Sequence, residues 1–202
     1  MPANAQPGLF DFPPPPAPLP GLAYVGAVLT RAREGEIVRF AKGLNFTPFA
    51  FRGFTGKRRT VSFGWRYDFN GGGFQSSEPM PELLEEVRAT AAAAAGMDPL
   101  ALEQCSIIEY APGAGIGWHR DRPQFGKVVG TSLLASCRMR FRRERDDGGG
   151  WDRAAIDLEP RSLYVLDGEA RSIWQHSIPP LAALRYSVTF RTLSALGSRL
   201  VK

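Results

Sequence analysis

His119 and His176 are the only two histidines in this chain of 202 residues, and the first opens the triplet His119-Arg120-Asp121. Neutral imidazoles and carboxylates both ligate metals. Two of the first with one of the second form a facial donor set that leaves three adjacent coordination positions open, as in non-haem Fe(II) sites. Side chains of an extended segment alternate with period two, so His119 and Asp121 point to one face and can hold one ion together. His176 would complete the set from a distant strand. With 20 Asp and Glu in 202 residues, a carboxylate falls two places after any histidine about one time in ten, so spacing alone leaves two structural histidines open as well.

A second group of residues lies nine positions beyond His176. In Arg185-Tyr186-Ser187-Val188-Thr189-Phe190-Arg191, period two sends Arg185, Ser187, Thr189 and Arg191 to one face and Tyr186, Val188 and Phe190 to the other. A polar face that meets water is the ordinary reading of such a strand. Two guanidinium forks bracketing two hydroxyls also make a bed for a dicarboxylate.

The elements that must position these residues are legible in outline. Thr30 to Lys42 predicts a helix with Thr30 as N-cap and Val38, Phe40 and Ala41 on its apolar face. Pro81 through Ala95 predicts a second helix, with proline and glutamates at its start and Gly96 past its end. Arg59 to Phe69 alternates as one strand and runs into the loop Asn70-Gly71-Gly72-Gly73. Short β-rich pieces follow at Cys105–Tyr110, Val128–Ala135, Met139–Arg142, Ser162–Leu166, Ser172–His176 and Arg185–Leu193. Helices first and many short strands afterwards predict an α+β chain built on a β-sandwich or jelly roll.

A hydrophobic fraction of 44% over this length suits a single domain. Residues 1–20 carry eight prolines, four of them consecutive, and are expected to form an extended tail before a domain at 21–195, with 196–202 as a C-terminal tail. No apolar run is long enough to span a membrane, and no secretory signal pattern opens the chain, so a cytoplasmic protein without a membrane partner is expected. Cys105 and Cys137 lack C-x-x-C spacing and are too few for a disulfide framework. The formal charge of +5 is concentrated: residues 52–67 hold Arg52, Lys57, Arg58, Arg59 and Arg66 with no acidic residue. Arg138, Arg140, Arg142, Arg143 and Arg145 form a second cluster, offset in part by Glu144, Asp146 and Asp147. Such density favours phosphate-bearing partners, and a solvated face accounts for it equally well. Phe51, Phe54, Phe63 and Trp65 are interleaved with the first cluster, a mixture suited to gripping phosphates and stacking a base, although Phe63 and Phe69 also suit a strand's core face.

Tyr110-Ala111-Pro112-Gly113, His119-x-Asp121, the stretch Gly168-Glu169-Ala170-Arg171 before His176, and Arg185-x-Ser187-x-Thr189-Phe190-Arg191 together resemble the AlkB family of Fe(II)- and 2-oxoglutarate-dependent dioxygenases. The resemblance covers roughly residues 21 to 193. It implies a double-stranded β-helix core with N-terminal helices packed on one side, and iron held by His119, Asp121 and His176. It further implies that Arg185 takes the distal carboxylate of 2-oxoglutarate with Tyr110 and Ser187. Arg191 would sit near the metal-bound end of that co-substrate, and Tyr67 would approach it. O₂-dependent decarboxylation of 2-oxoglutarate to succinate and CO₂ would drive hydroxylation of an N-methyl group on a nucleobase, with loss of formaldehyde. Arg58, Arg59, Trp65 and Trp118 are the expected contacts to alkylated DNA or RNA, made by a monomer.

Two positions depart from the family's DNA-repair members: Ile108 stands where they carry an asparagine, and Pro123 where they carry an acidic residue that contacts the damaged base. The segments Pro160 to Val165 and Gly168 to Arg171 look closer to the branch with tRNA-modifying members. A tRNA-modifying hydroxylase therefore stands beside a DNA demethylase. A non-catalytic nucleic-acid-binding β-domain with structural histidines is the alternative from another class.

Overall fold

The structure is a computed structural model that describes residues 19–51, 54–68 and 73–201. The chain opens with strand β1 (Leu22–Val25), helix α1 (Arg31–Lys42), and strands β2 (Thr47–Phe51), β3 (Phe54–Phe63), β4 (Trp65–Asp68) and β5 (Gly73–Ser76). Helix α2 (Glu82–Ala94) precedes β6 (Gln104–Tyr110), β7 (Ile116–His119), β8 (Phe125–Leu133), β9 (Cys137–Glu144), β10 (Trp151–Leu158) and β11 (Leu163–Leu166). Helix α3 (Gly168–Ser172), β12 (Gln175–Ile178), β13 (Arg185–Leu193) and α4 (Ala195–Leu200) complete it.

Both predicted helices form for the reasons their sequences carry. The Thr30 hydroxyl accepts from the Arg33 amide at 3.1 Å, filling one of the four unpaired donors at the start of α1. Helix α1 buries Ile37, Val38 and Ala41, and α2 buries Leu84, Val87, Ala91 and Ala92. Both stripes lie on one face of a seven-stranded antiparallel sheet of order β1-β11-β8-β13-β6-β3-β2. Its strands send Cys105, Ile107, Tyr186, Val188 and Phe190 to the helices. The opposite face, with Tyr110, Val128, Tyr164 and Leu166, packs on Cys137, Met139, Phe141 and Ile178 of a four-stranded sheet of order β10-β9-β12-β7. The two layers form the expected α+β jelly roll, and His119, Asp121, His176, Ser187, Thr189 and Arg191 line a cavity between them.

Several boundaries differ from the sequence reading. The single strand expected over Arg59–Phe69 is two, broken at Gly64, where φ is +74° and a Cβ would lie 2.3 Å from the Glu103 carbonyl oxygen. Only glycine tolerates both constraints, and the turn sends β4 out of the large sheet into a hairpin with β5. Residues 168–172, expected to lead into a strand at Ser172–His176, form α3 instead, with the Asp167 side chain accepting from the Gly168 amide. The strand follows at Gln175–Ile178. Strands β1, β2, β5 and β10 had no counterpart among the expected strands. Position 196 onward, expected as a tail, is helical to Leu200. Of the proline-rich segment, residues 1–18 lie outside the described residues, as do residues 69–72 of the expected glycine loop. Leu19 already belongs to the inter-sheet core.

Candidate functional site

The glycine-rich approach to His119 has a structural purpose at Gly115. A Cβ there would come within 2.6 Å of the Ile178 carbonyl oxygen and 2.9 Å of Pro179 and Pro180 backbone atoms. Its absence lets β7 lie tightly beside the end of β12, and pairing places His119 directly opposite His176. The two imidazole centroids are 4.2 Å apart. Asp121 returns to the same spot, with its Oδ1 3.6 Å from His119 Nε2 and 3.8 Å from His176 Nε2. Ligands each about 2.1 Å from a shared ion lie no more than about 4.2 Å apart, so both distances suit one cation.

Two of the three donors are oriented for that use by hydrogen bonds. His119 Nδ1 faces the Gly117 carbonyl at 2.9 Å. A carbonyl only accepts, so Nδ1 carries the proton and Nε2 keeps its lone pair toward the cluster. Arg191 Nε donates to Asp121 Oδ2 at 2.8 Å, leaving Oδ1 as the oxygen turned to the imidazoles. Arg191 is itself braced by Gln104 and Thr189 at 2.9 and 3.1 Å. Burial would raise the Asp121 carboxyl, but the Arg191 guanidinium beside it outweighs this and holds the group well below the usual carboxylate range. Burial, reinforced by His119, pushes His176 down to about 3, so its imidazole is neutral and able to ligate. Beyond Asp121, Arg171 donates to the carbonyls of Arg122, Phe125 and Gly126 at 2.6–2.7 Å and pins the loop that carries the carboxylate.

The cavity beside this cluster is lined by Tyr110, Tyr164, Ser187, Thr189 and Arg191, with apolar walls that include Ile108 and Met139. Arg185 projects from β13 on the same face as Ser187, Thr189 and Arg191, as the alternation predicted. It is fully buried, with its guanidinium 5.1 Å from the Tyr110 ring centroid and its Nε donating to Ser132 Oγ at 3.0 Å. Its Nη1 and Nη2 are buried without a hydrogen-bond partner among the described residues. Two parallel N–H donors of a buried cation, left open, match one carboxylate in bidentate geometry. Leaving such groups unpaired costs at least several kcal/mol, on the order of 1–3 for each donor. The donor set and this open fork fit a transition-metal ion and a dicarboxylate together.

The other sequence-predicted residues are divided by strand alternation. Arg58, on the cavity side of β3, lies in the electrostatic field of Tyr110 and Asp121. Arg59 points to the helix side, where it grips Glu109 at 2.6 Å, and Glu109 also accepts from the Tyr186 hydroxyl at 3.0 Å. Arg59 is therefore part of the frame and does not reach the cavity. Trp65 stacks on Phe74 across the β4–β5 hairpin at 5.3 Å, and Phe74 rests edge-on against Phe125. Tyr67 of the same hairpin lies under the Arg122 guanidinium at 4.5 Å, outside the cavity lining. Trp118 sits on the far face of β7 from His119, beneath Arg140 and Arg142. Arg52 and the side chains of Phe51 and Phe54 lie outside the described residues. Sequence reasoning missed Ser132, Tyr164 and Gln104. Their only signal is register, because each lies opposite or beside a functional arginine or the cavity on a neighbouring strand.

Comparisons with known proteins agree with this geometry. A family model described as the 2OG-Fe(II) oxygenase superfamily matches residues 53–191. The chain is 26% identical over 183 residues to the "Alkylated DNA repair protein ALKBH8 homolog" of Arabidopsis thaliana, covering 80% of this chain and 51% of that protein. It is 30% identical over 135 residues to "Alpha-ketoglutarate-dependent dioxygenase AlkB" of Escherichia coli K12, covering 58% of this chain and 59% of that protein. With the mouse "tRNA (carboxymethyluridine(34)-5-O)-methyltransferase ALKBH8" it shares 25% over 175 residues, 80% of this chain and 24% of that one. The chain spans about half the length of the first curated relatives it matches. Among solved structures, OsALKBH1 superposes with a TM-score of 0.68 at 18% identity, covering 85% of this chain and 96% of that one. A 2OG-Fe(II) oxygenase family oxidoreductase from Burkholderia pseudomallei gives 0.60 at 14%, covering 86% and 85%. Those two likenesses concern the fold.

Proposed function

From the premise that the chain belongs to the 2OG-Fe(II) oxygenase superfamily, whose members use Fe(II), 2-oxoglutarate and O₂, we propose that it oxidatively removes N-alkyl groups from bases of DNA or RNA. The observation that carries the co-substrate half of this reading is Arg185: a fully buried cation whose two open nitrogens await a carboxylate.

His119 Nε2, Asp121 Oδ1 and His176 Nε2 would hold the iron. Arg185, with Tyr110 beneath it, would take the distal carboxylate of 2-oxoglutarate, and Ser187 would line its path. Iron and 2-oxoglutarate bound together supply an oxidant strong enough to hydroxylate a C–H bond, with succinate and CO₂ as co-products. That chemistry would place one oxygen atom of O₂ in succinate and the other on the N-methyl carbon, and the hydroxymethyl product would lose formaldehyde. The apolar walls at Ile108, Ile116 and Met139 exclude bulk water from this chemistry. Arg58 contributes positive charge on the cavity side of the sheet, suited to a phosphate flanking the target base.

Relatives named for alkylated-DNA repair and for tRNA modification support a nucleic-acid substrate of either kind. The test is formaldehyde and succinate release from methylated single-stranded DNA, duplex DNA and tRNA. Equimolar products that vanish in His119→Ala and in Asp121→Ala are expected. Full turnover in either variant would remove the metal assignment. Salt-sensitive oligonucleotide binding without stoichiometric iron would favour a non-catalytic binding domain instead.

A further inference from the structure

The arginine cluster on β9 is not absorbed by the cavity, because it lies on the opposite face of the four-stranded sheet. Along β9, Cys137, Met139 and Phe141 are buried inward, while Arg138, Arg140 and Arg142 project outward. Pairing with β10 sets Arg153 directly opposite Arg142 and Ala155 opposite Arg140. Like charges facing each other across an antiparallel pair are destabilising. Elsewhere along this strand and just past its end such charge is neutralised within the fold: Arg138 pairs with Asp157 at 3.1 Å, and Arg143 and Arg145 with Asp152 at 3.0 Å. Arg140, Arg142 and Arg153 make no ion pair among the described residues. The remaining carboxylate of this face, Glu144, lies at its far end opposite Trp151.

Two of the uncompensated arginines are held in position by neutral partners. Arg140 Nε donates to Ser177 at 3.2 Å and Arg142 Nε to Gln175 at 2.7 Å, which fixes each stem and leaves the terminal nitrogens for an outside acceptor. The Arg142 guanidinium lies 4.5 Å from the Trp118 ring and 4.2 Å from that of Trp151, which is 36% exposed. Between Trp118, Arg140, Arg153 and the small floor of Ala154 and Ala155 runs a groove of about 370 Å³. Its volume falls within the range of about 300–1,000 Å³ of small-ligand sites.

The geometry points to this outer face as a second nucleic-acid surface, which binds the phosphates of a single-stranded segment through Arg140, Arg142 and Arg153 and stacks a base against Trp151. Arginine forks with free terminal nitrogens suit phosphate oxygens, and an exposed indole beside them suits a base, the pairing used by single-strand binding grooves. Trp118 and His119 are consecutive on β7, the edge strand of the sheet, and face opposite ways. Groove and cavity are thus two sides of one strand, and a polynucleotide rounding that edge reaches both. The inference goes beyond the catalytic reading, since the surface binds a strand whichever group the cavity oxidises.

The test is fluorescence anisotropy of unmodified, labelled 15-nucleotide DNA and RNA with the full chain, titrated at several salt concentrations, in separate DNA and RNA arms. Because no turnover is read, its result is independent of the oxidation chemistry. Arg140→Gln combined with Arg153→Gln is expected to weaken binding at least about tenfold and to flatten the log–log salt dependence by about 1.4, the value for two lost phosphate contacts. Trp151→Ala is expected to weaken it at least about fivefold. Arg145→Gln, on the Asp152 side, serves as the unchanged control, and thermal unfolding of each variant checks that the sheet is intact. Unaltered affinity and salt slope in the double variant would overturn the proposal. So would absence of oligonucleotide binding by the unsubstituted chain, or displacement of the oligonucleotide by poly-glutamate at equal charge concentration, which would make the partner an acidic peptide.

Discussion

Arg185 is the residue whose surroundings demand a ligand most directly. It is buried completely, uses one nitrogen on Ser132, and leaves two without partners among the described residues. Retaining an unpaired cation in a core opposes folding, and apolar replacements of comparable volume often stabilise. Arg185→Met is therefore expected to raise the thermal midpoint of the metal-free protein while abolishing the stabilisation that 2-oxoglutarate gives the metal-loaded original, about 2.7 kcal/mol at one hundred times its Kd. Differential scanning calorimetry with and without the ligand reads both, and a variant that still gains stability from 2-oxoglutarate would remove Arg185 from the clamp. At this scale the sequence was most informative. Alternation along β13 assigned Arg185, Ser187, Thr189 and Arg191 to one face, and that is where they stand. It was silent on Ser132 and Tyr164, which matter through the strands they lie beside.

At the scale of elements, alternation also divides Arg58 from Arg59, although a basic run with interleaved aromatics reads as a single patch. Only the pairing of β3 with β6 sets Arg59 opposite Glu109 and commits it to the helix side. Arg59→Ala would leave the buried Glu109 carboxylate with Tyr186 as its remaining partner in this network, and a loss of about 1–3 kcal/mol in unfolding free energy is expected. Denaturant titration checks this, together with an unchanged KM for 2-oxoglutarate. Stability equal to that of the original chain would contradict the framing role. The helices were legible because capping and amphipathic period are local properties. The break at Gly64 was not, since nothing in Ser62-Phe63-Gly64-Trp65 reveals that the Glu103 carbonyl passes 2.3 Å from a Cβ there. Strand β10 was missed because Trp151–Leu158 lies along the edge of its sheet, where every side chain but that of Leu158 is exposed or half-buried and the apolar pattern is weak.

For the whole molecule, the cluster of His119, Asp121 and His176 ties the candidate site to global stability through protons. In the unfolded chain His176 titrates near its ordinary value, about 6.5, whereas in the fold it is pushed down to about 3. Between these values the unfolded state binds the extra proton, so stability of the metal-free protein falls as pH drops below about 6.5. The slope from this one residue approaches about 1.4 kcal/mol per pH unit. Asp121 acts in the same direction at lower pH: its stabilising contribution is present above about 3.8 and is lost as pH falls through its depressed folded value. Urea unfolding of chelator-treated protein between pH 7 and 4.5 measures this, and His176→Gln should flatten it. An equally steep slope in that variant would show that another group carries the effect. No helix among the described residues is long and apolar enough to cross a membrane.

The amino-acid sequence by itself determined the chemistry available: two imidazoles, a carboxylate two places after the first, and arginines spaced to share a strand face. Order, spacing and flanking residues over four segments were enough to indicate the family. Tertiary structure decided which of these meet. A local pattern fixes the face a side chain takes on its own strand, but the neighbouring strand and its register follow from long-range burial. That register put His176 against His119, turned Arg59 and Trp118 away from the cavity, and assembled Arg140, Arg142 and Arg153 on the opposite side of the same sheet.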